Sequence, residues 1–139
     1  MLLLVKVFNL KTTVDENFQD VKNTDYYYEA LGIAKKLGIA KGTGNNTFNP
    51  KTEISRQDMM VLVARAMNVA EKPLESASAS ELDNYIDVDQ ISSYAINDVA
   101  KLIKAGIIKG MGNFINPKGM ATRAETAVII YRIYNEWVN

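Results

Sequence analysis

Hydrophobic positions along the chain fall into two kinds of segment. In the first, apolar residues recur at helical spacing on one side only: Tyr26, Ala30, Leu31, Ala34 and Leu37 over residues 26–37, and Ala95, Val99, Leu102 and Ile103 over 94–105. In the second, they cover every side, at 2–8, 56–68 and 123–137, as in Met59-Met60-Val61-Leu62-Val63-Ala64 and Ala127-Val128-Ile129-Ile130-Tyr131. A helix that is apolar all round is a buried helix, so these three are predicted to pack together in the middle. The expected fold is all-α: helix-loop-helix repeats around a central three-helix bundle, with the one-sided helices and loops as outer prongs and one prong missing beside residues 2–8.

The polar punctuation between these segments repeats 67 residues apart. Phe18-Gln19-Asp20-Val21 returns as Tyr85-Ile86-Asp87-Val88, Asn49-Pro50 as Asn116-Pro117, and Ser55-Arg56-Gln57-Asp58 as Thr122-Arg123-Ala124-Glu125. Each one-sided helix ends at a glycine, Gly38 or Gly106, followed by Ile39 or Ile107, the pattern of a left-handed helix cap with its hydrophobic contact. A Gly- and Asn-rich loop follows, with Phe48 or Ile115 placed to anchor it. Ser55-x-x-Asp58 and Thr122-x-x-Glu125 have the spacing of capping boxes.

Two such units this short are expected to share one core. Residues 4–10 align with 63–69, a base at Lys6 matching Arg65 and Asn9 matching Asn68, so the chain is expected to be a fragment that begins within the last helix of an earlier copy. The predicted organisation is residues 1–10 as the end of a preceding bundle helix, 11–70 as one repeat, 71–84 as a mobile linker rich in serine and alanine, and 85–139 as the second repeat. Lys6, Arg65 and Arg132 share one bundle position, where a long side chain is expected to reach solvent or a neighbouring acid.

Composition narrows the chemistry. The chain has 139 residues, 47% of them hydrophobic, enough for an ordinary core. It has no cysteine and no histidine, which removes thiol nucleophiles, Ser/His/Asp triads and ordinary zinc sites. Sixteen basic and sixteen acidic residues cancel without a block of like charge, so no nucleic-acid footprint is expected. The apolar run at residues 1–8 is interrupted by Lys6 and is too short to span a membrane. Asp83-x-x-x-Asp87-x-Asp89 lacks the glycine and closing glutamate of an EF-hand loop, and Gly42-x-Gly44 lacks the lysine of a phosphate loop. No cofactor, metal or catalytic residue is expected.

An Asp-Val pair, an aromatic before a one-sided helix, a Gly-Ile helix end, a Gly-rich loop closing at Phe-Asn-Pro or Ile-Asn-Pro, and Thr-Arg-Ala-Glu before an apolar helix, all in that order and twice over, resemble the S-layer homology (SLH) repeat of bacterial surface proteins. The resemblance covers nearly the whole chain. It departs from the family pattern at Tyr26 and Tyr94, where tryptophan is usual, and at Asn45-Asn46 and Asn113, where Asp-Gly is usual.

The resemblance implies a pseudo-threefold spindle and a noncatalytic, extracellular module at the bacterial cell wall or S-layer. Such a module binds secondary cell-wall polysaccharide, often pyruvylated, in grooves between repeats. A ketal carboxylate matches the paired donors of a guanidinium at the start of a capped helix, which makes Arg56 and Arg123 ligand-binding residues. In the alternative, each braces its repeat by pairing with an acid such as Asp20 or Asp87. Tyr26 and Tyr94 are implied as sugar platforms, and Lys41, Lys109, Asn45, Asn113, Asp20 and Asp87 as polar partners. Tyr26 is expected to be buried, with Tyr27 or Tyr28 more exposed. The rival function is a protein assembly module on the same scaffold. A homodimer by exchange of a repeat is a further expected partner arrangement.

Overall fold

The computed structural model describes residues 1–139. The fold is all-α. Its helices are α1 (Leu2–Val7), α2 (Tyr28–Lys36), α3 (Arg56–Val69), α4 (Ile96–Lys104) and α5 (Arg123–Ile133). The segments 26–37 and 94–105 become α2 and α4, each opening two residues later than the pattern predicted. The third apolar segment is α-helical only to Ile133 and then widens into a π-turn over Tyr134–Val138.

The two repeats are built alike because the same local contacts recur. Gly38 and Gly106 close α2 and α4 at φ of +75° and +72°, and Ile39 and Ile107 behind them are fully buried. At Gly42 a Cβ would lie 2.4 Å from the Thr47 carbonyl oxygen and 2.8 Å from the Phe18 ring. At Gly110 it would lie 2.7 Å from both the Phe114 carbonyl oxygen and the Tyr85 ring. Only a residue without a Cβ lets each loop fold down onto the aromatic that opens its repeat. Ile115 is fully buried and Phe48 half-buried, its ring 5.3 Å from that of Phe18.

One main core joins the repeats. Met60, Val63, Ala66 and Met67 of α3 share it with Val99 and Leu102 of α4 and with Ile129 and Ile133 of α5. The α1 helix touches α2, α3 and α5. The Thr126 hydroxyl lies 3.4 Å from the Met59 sulfur, bringing α5 beside α3. The expectation of a helix buried all round holds for α3 but not for α1, where Leu3 is 48% exposed, nor for α5, where Val128 and Tyr131 are 47% and 68% exposed. Apolar sequence licenses burial, but a neighbour must supply the cover. The 71–84 segment is only partly a linker: Ala79–Leu82 form a 3-10 turn against α4, with Leu82 fully buried.

Candidate functional site

The start of α3 is the junction of the two repeats. Ser55 caps it by accepting from the Asp58 N–H at 3.2 Å. The next two N–H groups, of Arg56 and Gln57, donate to the carbonyls of Gly119 and Pro117 in the second repeat at 2.8 and 3.0 Å. The field and donors of this helix end are therefore occupied within the protein. The Gln57 amide donates to the Ser92 and Tyr94 hydroxyls and accepts from the Ser92 N–H, while the Tyr94 hydroxyl donates to Asp58 Oδ1 at 2.5 Å. That hydrogen bond, first, and then desolvation and the nearby Asp58 charge push the Tyr94 phenol above its ordinary pKa.

Only the second repeat forms a complete capping box. Glu125 reaches back to the Thr122 N–H at 3.0 Å, whereas Asp58, one methylene shorter, accepts instead from the Ser55 and Tyr94 hydroxyls.

Arg56 corrects the sequence expectation. Its side chain is only 6% exposed, its Nε donates to the Ile115 carbonyl at 2.9 Å, and its Nη1 pairs with Glu125 at 2.5 Å. It is sealed as a brace between repeats, and its partner is Glu125 rather than Asp20 or Asp87. Burial alone would raise the Glu125 carboxyl, but the Thr122 N–H and Arg56 outweigh it and hold the carboxyl below the ordinary range. Asp20 and Asp87 are likewise committed to their own repeats. Asp20 accepts from the N–H groups of Phe48 and Asn49, and Asp87 from those of Ile115 and Asn116. A short acid with two parallel oxygens fits two successive N–H groups of a turning loop. Arg65 and Arg132, expected to reach solvent or a neighbouring acid, pair with no acid and instead donate to the carbonyls of Ile39 and Ile107 at 3.2 and 2.8 Å.

A cleft of about 550 Å³ opens beside this junction. The first repeat's loop forms one wall with Lys41, Thr43, Asn49 and Glu53. The other is formed by Asp58, Val61 and Arg65 of α3, together with Tyr94 of the second repeat, which is 58% exposed. Of the sequence candidates, the structure brings Lys41 and Tyr94 together here. Asn45, Asn113 and Lys109 are exposed outside the cleft lining. Arg123 is exposed at the start of α5 and makes no ion pair.

Tyr26 reverses its expectation: it is 83% exposed and Tyr27 and Tyr28 are half-buried. No residue of the chain stands against Tyr26 as Asp58 stands against Tyr94. Sequence reasoning missed Asp58, Glu53 and Arg65 as cleft residues. Only the offset between the loop of one repeat and the helix start of the next places them there.

Comparison with known proteins agrees with this geometry. The family model for the S-layer homology domain matches residues 17–60 and 84–127. The chain is 39% identical over 131 residues, 93% of its length, to an exoglucanase XynX of Acetivibrio thermocellus, and 37% identical over 131 residues to an amylopullulanase of Thermoanaerobacterium thermosulfurigenes, also over 93% of its length. It is 24% identical over 134 residues, 94% of its length, to a surface-layer 125 kDa protein of Lysinibacillus sphaericus. The matches span 12%, 7% and 11% of those proteins, so the chain corresponds to a small part of each. With both repeats matched and their shared loop and cap geometry in place, the chain belongs to the S-layer homology domain family.

Proposed function

We propose that the chain is a noncatalytic anchoring module that holds a longer protein to the bacterial cell surface by binding secondary cell-wall polysaccharide in the cleft between its repeats. The observation that carries this reading is the cleft itself. A partly exposed tyrosine face stands opposite a loop of hydroxyl, amide and charged side chains, a combination suited to the apolar faces and hydroxyl edges of sugar rings. A pyruvylated, anionic polymer meets its cations at Lys41 and Arg65 in this reading, since Arg56 is already paired. The relatives, an exoglucanase and a surface-layer protein among them, support a role carried alongside very different partners in the same chain.

Cosedimentation with purified wall sacculi tests the proposal. Binding is expected with intact sacculi and not with sacculi stripped of secondary polysaccharide, and Tyr94→Ala together with Lys41→Ala should weaken it at least tenfold with helicity unchanged. Equal binding to stripped sacculi would overturn it.

A second reading, assembly with another copy by exchange of a repeat, is favoured by the exposed Val128 and Tyr131 of α5 and Tyr134 of the π-turn after it. Sedimentation equilibrium decides it: a dimer lost in Tyr131→Lys supports exchange, and a monomer at high concentration ends it.

A further inference from the structure

Arg65 lines two hollows. On one side is the cleft of about 550 Å³, and on the other a hollow of about 370 Å³ whose polar lining includes Asn68, Asp98 and Lys101. Both volumes fall within the range of about 300–1,000 Å³ typical of small-ligand sites.

The two hollows are consecutive stretches of one trough. Along α3 the lining residues run Asp58, Val61, Arg65 and Asn68, steps of three and four that stay on one helix face. On the opposite bank, Tyr94 is followed by Asp98 and Lys101 at the same spacing. Arg65 lies across the trough with Nη1 donating to the Ile39 carbonyl, which leaves its other N–H groups for a further acceptor.

The far stretch carries two cations and one acid. None of the four ion pairs in the chain includes Arg65, Lys101 or Asp98. Burial pushes the Asp98 carboxyl up by more than Lys101 and Arg65 pull it down, consistent with the absence of a close ion pair.

The fold does not need charge at these positions. In the first repeat the residues equivalent to Asp98 and Lys101 are Ala30 and Ile33, both buried, in the matching hollow beside Lys6 and Asn9. A prong helix therefore packs with small and apolar side chains there. Placing partly buried, unpaired charges in the second repeat costs stability, and a ligand that uses them accounts for the difference.

Resting on the cleft reading above, we infer that the trough continues past Arg65 into a second saccharide subsite, formed by Asn68, Asp98 and Lys101, which takes a carboxylate-bearing sugar of the same polymer. The carboxylate sits between Arg65 and Lys101, and sugar hydroxyls meet the Asn68 amide and the Asp98 carboxyl. The upper cleft, where Glu53 and Asp58 stand beside Lys41 and Arg65, takes the neighbouring sugars of the same polymer.

The test uses Lys101→Ile, which installs the residue found at the equivalent position of the first repeat and so keeps the fold. The probes are polysaccharide released by hydrogen fluoride from Acetivibrio thermocellus walls, fractionated into short and long fragments, studied by titration calorimetry before and after chemical reduction of all carboxyl groups. Long native fragments should lose at least tenfold in affinity on Lys101→Ile, while the shortest fragments that bind change less than twofold. Carboxyl reduction should cost the wild type at least that factor, and the variant, which keeps only Arg65 against the carboxylate, distinctly less.

A parallel arm removes only acid-labile ketals. Loss in that arm assigns the carboxylate to a ketal, and loss only on full reduction assigns it to a uronic acid; either supports the subsite. If Lys101→Ile leaves long fragments within twofold while Tyr94→Ala weakens both lengths, the subsite is wrong and the cleft stands. If neither length binds the wild type, both readings fall.

Discussion

The starts of α3 and α5 carry nearly the same residues, Ser55-Arg56-Gln57-Asp58 and Thr122-Arg123-Ala124-Glu125, yet their arginines have opposite fates. Arg56 is 5% exposed, pinned between the Ile115 carbonyl and Glu125, and the first N–H groups of its helix are taken by the second repeat's turn. Arg123 is exposed at a helix start that no loop covers. Further along, Val61 is 4% exposed where its counterpart Val128 is 47% exposed. A motif of this kind encodes a helix start. Whether its arginine is a brace or a surface cation depends on the loop packed in front of it.

The largest expected effect breaks this comparison at its centre. Arg56→Ala leaves Glu125 and the Ile115 carbonyl without their partner and is expected to cost about 3 kcal/mol, the low end for breaking a buried pair because Glu125 keeps some contact with water. Arg123→Ala should stay within about 0.5 kcal/mol, as for an unengaged surface side chain. Urea unfolding followed by far-ultraviolet circular dichroism reads both. Equal losses would mean that the repeats are more alike than the contacts imply.

The two loop acids sharpen the contrast. Asp87 is buried and accepts from two buried or partly buried N–H groups, so Asp87→Asn, which turns an N–H donor toward one of them, should cost about 2 kcal/mol. Asp20 makes the same pair of contacts nearer to water, and Asp20→Asn should lower the urea midpoint less. A reversed order would show that the first loop, not the second, holds the junction.

Local chemistry was legible in the sequence; junction chemistry was not. Gly38, Gly106 and Thr122 act on backbone within a few residues of themselves, so spacing alone predicted their roles. The anchors Phe48 and Ile115 were legible for the same reason, as single apolar residues in otherwise polar loops. Arg56 was misassigned because its partner lies 69 positions away on the other repeat, where sequence gives no distance. Tyr26 was misplaced because what holds the equivalent Tyr94 is a pair of hydroxyl contacts to Gln57 and Asp58 from the repeat before it, and no such neighbour faces Tyr26. Lys41 and Tyr94, named from the sequence, both line the cleft, whereas Asp58, Glu53 and Arg65 were not foreseen there, since the cleft exists only once two repeats are docked.

A smaller effect tests the tyrosines directly. Tyr94→Phe removes the hydroxyl shared by Asp58 and Gln57 and should cost about 1 kcal/mol, a typical net loss for one hydrogen-bonded hydroxyl. Tyr26→Phe should leave the urea midpoint unchanged, because the ring keeps its edge contact with Tyr27 and the hydroxyl it loses makes no hydrogen bond within the chain. A matching loss at Tyr26 would point to a hydrogen-bond partner for its hydroxyl in solution.

The smallest effect is one of pH, and its sign follows from the direction of the shift. Glu125 titrates in the folded protein below its ordinary value of 4.5, because the Thr122 N–H and Arg56 together outweigh the upward push of burial. The unfolded chain then binds the proton more readily than the folded one. The contribution of this group to stability is complete above about 4.5 and declines as pH falls through the folded value. Asp20, also held low once its loop N–H groups offset burial, adds a slope of the same sign. Urea midpoints measured between pH 7 and pH 3 should therefore fall on the acid side in the wild type, and Glu125→Gln should flatten that fall while lowering the midpoint at neutral pH. An unchanged acid slope in Glu125→Gln would mean that the pair with Arg56 does not persist in solution, and the contrast between the two helix starts would then rest on packing alone.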